Sequence, residues 1–142
     1  MLAGTREQSI TGWTELESEL DAWRAAGICA TFWGRDDDAT RPGPRLERLV
    51  ETAAGVPVSL AVIPSGATAA LASWVRTPRG VPALQHGYGH SNHAPAGAKK
   101  SEFGDDRPLS DMRAEIASGR TRMVSLFGDR FLPVFVPPWN RM

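Results

Sequence analysis

Residues 81–93, VPALQHGYGHSNH, run from a short apolar stretch straight into all three histidines of the chain, His86, His90 and His93. Val81–Gln85 predicts a β-strand, and the glycines at 87 and 89 keep the histidines from continuing as a helix. Each glycine costs a helix about 1 kcal/mol relative to alanine. Zinc proteases place His-x3-His on a helix with a glutamate after the first histidine; position 87 is Gly here, so that reading fails. Glycine instead lets the backbone turn sharply after the strand and bring His86 and His90 round to one point. Neutral imidazole is the commonest protein metal ligand, which makes a histidine cluster at a strand's end a candidate site.

Working outward, strand and helix alternate. Thr14–Ala26 predicts a helix, with Thr14 as N-cap, Glu17 completing a capping box and Gly27 as the stop. Ile28–Trp33, ICATFW, predicts a buried strand that ends in Asp36-Asp37-Asp38. Pro42–Ala54 is a second amphipathic helix, Val56–Ile63 the next strand, and Ala67–Arg76 a third helix. After the histidines, Ser91–Gly104 reads as a surface loop. Leu109–Phe127 is the longest helix, and Phe131–Val136 a fourth strand leading into Pro137-Pro138-Trp139-Asn140-Arg141. Near-continuously apolar strands separated by helices predict a parallel sheet with crossover helices. In such folds the site collects at the carboxyl ends of the strands. Three strand ends carry polar clusters, Arg35–Asp38, His86–His93 and Trp139–Arg141, and the fold requires them to converge.

Composition narrows the class. A chain of 142 residues, 42% hydrophobic and 23% charged, fits one globular domain with room for a core. Sixteen basic and sixteen acidic residues cancel, which leaves no electrostatic footprint for nucleic acid or an anionic membrane. There is no basic segment followed by an apolar run at the N-terminus and no stretch of about 18 apolar residues, so a cytoplasmic address without membrane contact is expected. Cys29, the lone cysteine, is expected to be a small buried hydrophobe, and Trp13, Trp23, Trp33 and Trp74 to be packing residues.

Two imidazoles leave a tetrahedral Zn²⁺ one protein ligand short of a site with an open position. A carboxylate from Asp36–Asp38 would complete a His-His-Asp set, leaving a neighbouring aspartate free to take a proton from water. The expected chemistry is metal-assisted hydrolysis of an acyl bond.

ATFWGRDDDA, LQHGYGHSNH and FVPPWNR, in that order on successive strands, resemble the first three motifs of the polysaccharide deacetylase family, the carbohydrate esterase family 4 type. The resemblance implies an incomplete (β/α) barrel, with Asp37 as catalytic base, Asp38, His86 and His90 as metal ligands, and Trp139 and Arg141 at the substrate groove. Zinc is the implied cofactor, and an N-acetylated sugar or a small acylated amine the implied substrate. This sequence departs from the pattern in three places. Position 87 is Gly where the family favours Ser or Thr. The arginine that usually precedes the prolines falls at Val136, so Arg141 would have to orient the base from elsewhere. The later motifs, including a histidine general acid, have no counterpart. A full barrel takes about 250 residues, so the resemblance implies a single truncated domain over residues 1–142, with oligomerisation expected if half a barrel leaves its sheet edges unpaired. Two rival readings follow: a non-catalytic barrel half that binds metal or carbohydrate or assembles with another chain, and a phosphoesterase sharing the ligand set. The lack of an arginine cluster weighs against the second.

Overall fold

A computed structural model describes residues 11–142. The chain divides into two compact units, Met1–Phe32 and Trp33–Met142. In the first, helix α1 spans Thr11–Ala25. Gly27 ends it at φ 73, and Ile28 N–H returns to the carbonyl of Trp23 at 2.8 Å, a left-handed C-terminal closure. The helix begins a turn earlier than the sequence predicts, so Thr14 lies inside it rather than capping it.

The second unit is an α/β layer: β1 Gly34–Ala39, α2 Pro44–Ala53, β2 Val58–Val62, α3 Ala69–Val75, β3 Ala83–His86, α4 Leu109–Phe127 and β4 Phe131–Val136. All three strand pairings are parallel and the order is β1-β2-β3-β4. Each strand therefore lies beside its sequence neighbour, and every carboxyl end emerges on one rim.

The sequence accounts for most of these elements. Pro44 opens α2 at its first turn, where a missing N–H is harmless. Thr68 caps α3, its Oγ1 accepting from Leu71 N–H at 3.2 Å. In β2 and β3 alternate side chains serve two cores. Leu60, Val62 and Ala83 join Leu46, Leu71, Val75, Met123 and Phe127 under the helices, while Ala61, Leu84 and Val136 form a smaller cluster. Burying a side chain such as Leu60 or Phe127 contributes about 2 kcal/mol each. Near the middle of α4, a Cβ on Gly119 would collide with the Gln85 amide and come 3.2 Å from Pro64 Cγ, so glycine is what lets the helix close onto β3.

Three expectations are corrected. Ile28–Trp33 forms no strand; the first strand is the acidic run itself, GRDDDA. An edge strand need not bury both faces, so β1 can form without an apolar run. Cys29 is exposed rather than buried. Trp13, Trp23 and Trp33 are also exposed, at 66%, 36% and 61%, whereas Trp74 packs on the core and donates its Nε1–H to Glu47 at 2.6 Å.

Candidate metal centre at the strand ends

The acidic run is splayed by an irregularity in β1. Asp36 pairs with Leu60 and Ala39 with Val62, so three steps on β1 match two on β2. The extra residue is a bulge, and Asp38 sits in it in the left-handed region at φ 69. The three carboxylates consequently meet different neighbours. Asp36 lines a groove beside α2 with Arg45, Leu49 and Thr52. Burial, reinforced by the charges of Asp37 and Asp38 and opposed by Arg45, pushes its carboxyl above the usual carboxylate range. Asp37 is gripped by Arg35, whose Nε and Nη2 donate at 2.7 and 3.1 Å. Asp38 faces the histidines.

His86 ends β3 and is 2% exposed. One oxygen of Asp38 lies 3.1 Å from His86 Nε2 and 3.1 Å from His90 Nε2. The potential ligand atoms of the three residues all lie within 4.8 Å of one another. His90 is held beyond the strand at φ 55, with its ring 4.3 Å from that of Trp139, centroid to centroid. Trp139 and Asn140 are also left-handed, at φ 53 and 54. Four of the five non-glycine residues with positive φ among the described residues thus belong to these strand ends, and such conformations persist only where surrounding structure imposes them.

A donor set of two imidazole nitrogens and a carboxylate suits zinc or a similar divalent ion. The tautomer of His86 sharpens the fit. Its Nδ1 lies 3.0 Å from the carbonyl of Val136, an acceptor, so Nδ1 carries the proton. In neutral imidazole Nε2 is then a bare lone pair, facing a carboxylate oxygen at 3.1 Å. Two acceptors at that distance repel unless a cation lies between them or the ring takes a second proton. Backbone-oriented histidines of this kind are the usual supporting arrangement in metal sites.

Among the residues expected from sequence, the structure brings Asp38, His86, His90 and Trp139 together, with Asp37 adjacent on β1. Arg141 is turned elsewhere, donating to the carbonyl of Lys100 at 3.1 Å. The guanidinium on Asp37 is that of Arg35, which also reaches Asn140 Oδ1 at 3.4 Å. His93 is exposed, lies outside the ligand group and exerts its charge on Glu115.

Sequence reasoning missed Arg35, Gln85 and Glu102. Gln85 Nε2 donates to the carbonyls of Gly87 and Ile116 at 3.1 and 3.0 Å, fastening the histidine turn to α4. Glu102, 1% exposed, fastens it from the other side. The one available signal for Glu102 was Phe103, an aromatic residue stranded in a polar loop, which is buried and stacks edge-on with Phe135. No family model, curated protein or solved structure matches this chain.

Proposed function

We propose that this chain is a metal-dependent amide hydrolase of the polysaccharide deacetylase type, removing an acetyl group from an N-acetylated sugar or a related acylated amine. The observation that carries this reading is the His86 arrangement, with Nδ1 tied to Val136 and Nε2 presented to the oxygen that His90 also faces. The consecutive strand order supports it as well, because a barrel is wound that way and a doubly wound sheet reverses.

In this reading Asp38, His86 and His90 hold a divalent ion, with zinc the best match to the donors. When bound, such an ion supplies Lewis acidity, polarising an acyl oxygen and bringing the pKa of water towards about 7. Asp37 takes the proton from water. Arg35 fixes the direction of its carboxylate through two parallel hydrogen bonds, and Asn140 steadies Arg35 in turn. Trp139 offers an apolar wall beside His90, suited to the face of a sugar ring.

Elemental analysis and acetate release from N-acetylglucosamine oligomers test the reading together. Purified protein is expected to carry about one zinc per chain, and Asp38→Ala and His86→Ala none. Metal content unchanged by either substitution would sink the assignment. A second reading, a module that binds metal or sugar without turnover, is favoured by one observation: His93, the only histidine left to protonate a leaving amine, is exposed and lies outside the ligand group. Zinc binding with no acetate release from any acylated amine would select it.

A further inference from the structure

The carboxylate of Glu102 is spent on the backbone of the histidine turn. Its Oε1 accepts from Gly89 N–H at 2.7 Å and Ser91 N–H at 3.5 Å, and its Oε2 from Tyr88 N–H at 3.2 Å. Three amides on either side of His90 thus converge on one buried side chain, a concave arrangement of N–H groups that suits an anion. The turn needs such a hold. His90 lies at φ 55, in the left-handed region that few non-glycine residues adopt.

Position 87 is shaped around the same group. A Cβ on Gly87 would land on Glu102 Oε2 and come 2.6 Å from Pro138 Cγ, so the carboxylate fills the volume a side chain there would take. Glu102 is braced in its turn. Arg107 donates to its carbonyl at 3.1 Å while gripping Glu115 of α4 through two bonds of 2.7 Å. Asn92 Oδ1 accepts from Ser101 N–H at 3.0 Å, and His93 N–H donates to the Ser101 carbonyl at 2.9 Å. Glu102 itself lies outside the group of potential ligands.

We infer that Glu102 is the positioning residue of the second imidazole ligand, holding His90 where it captures metal without touching the ion or the substrate. This rests on the reading of Asp38, His86 and His90 as a metal site, and the two can fail separately. His86 is placed by its strand and by Val136; His90 is placed by Glu102. Losing the carboxylate therefore weakens one ligand and spares the other.

The test is a calorimetric zinc titration of the full chain and of Glu102→Gln, with thermal melts of the metal-free proteins alongside. NMR follows the imidazole signals of His86 and His90. Glu102→Gln is expected to weaken zinc about 10- to 100-fold, the usual cost of losing a group that orients a ligand. The His90 signal should broaden or stop following zinc while that of His86 still shifts, a split that a general loss of stability does not produce. Wild-type protein that takes no zinc overturns the metal-site reading and this inference with it. Wild-type protein that binds zinc, with Glu102→Gln binding equally well, overturns the inference alone. Should the variant not fold, hydrogen exchange on the wild type decides: slow exchange at Tyr88, Gly89 and Ser91 supports the clamp, and fast exchange at all three removes it.

Discussion

The two strand ends that build the candidate metal centre are made in opposite ways. β3 is a central strand with all four residues buried, and its histidine is aimed by a neighbouring strand's carbonyl. β1 is at one sheet edge, polar along most of its length and bulged, and its candidate ligand Asp38 is 60% exposed on a left-handed backbone. Direction comes from the buried end and charge from the exposed one. The division has a physical basis, since taking a lone carboxylate out of water costs several kcal/mol, whereas a neutral imidazole with a hydrogen-bond partner is buried at little cost.

Removing each ligand breaks the comparison most directly. His86→Ala leaves a cavity and removes one of two donors to the Val136 carbonyl, which Gly87 N–H also reaches at 3.0 Å, so the metal-free protein is expected to lose about 2–4 kcal/mol along with its zinc. Asp38→Ala should lose the zinc with little change in metal-free melting temperature. Equal destabilisation by the two would erase the distinction between the ends. Within the edge strand, Asp37→Asn should keep zinc and lower turnover about 10²- to 10⁴-fold, the range of a lost general base. Arg35→Lys should fall between that variant and wild type, because lysine cannot form the paired bonds. Turnover in Arg35→Lys equal to wild type would show that the grip on Asp37 is idle.

Smaller effects sharpen the picture. Asp38→Gly relieves a left-handed aspartate and should stabilise the metal-free protein by about 1 kcal/mol in chemical denaturation, while abolishing zinc uptake. On the buried side, the Arg107 hydrogen bond holds the Glu115 carboxyl below its usual range despite partial burial, with the Arg107 and His93 charges acting in the same direction. A carboxyl with a lower pKa folded than unfolded adds stability at neutral pH and loses it as pH falls through the folded pKa. Glu115→Gln should therefore be less stable than wild type at pH 7 by under about 1 kcal/mol, with the gap closing below about pH 4. A gap that persists in acid would assign the effect to packing.

Legibility in the sequence followed apolar composition. Val56–Ile63, Val81–Gln85, Leu109–Phe127 and Phe131–Val136 were readable because each carries apolar residues in a run or at helical spacing, even where, as in β4, half of the strand is exposed. GRDDDA was missed as a strand because its residues are polar and it owes its place to backbone pairing with β2, which leaves no hydrophobic trace. The histidine spacing pointed to a metal centre. It could not say which aspartate faced the rings, since that depends on one bulged residue. Glu102 and Arg107 escaped because their roles lie in contacts across loop and helix, and a polar loop with a buried carboxylate reads much like one in water. Gly87 was legible as a turn residue, but its further constraint, the space that Glu102 occupies, was not.

The consecutive strand order also bears on how the chain assembles. The crossover from β1 to β2 takes residues 40–57 and that from β2 to β3 residues 63–82, but reaching β4 takes residues 87–130. Closing 44 residues rather than 18 costs about 0.8 kcal/mol more in chain entropy alone, so β4 is expected to dock after the first three strands have paired. Pulsed hydrogen exchange during refolding would show its amides protected last. β4 brings the Val136 carbonyl that sets the His86 tautomer and, just beyond it, Trp139. Until the final strand arrives, the imidazoles are free to point either nitrogen at solvent. On the proposed reading, metal capture would be tied to completion of the sheet, and the ion would fasten β1 to β3.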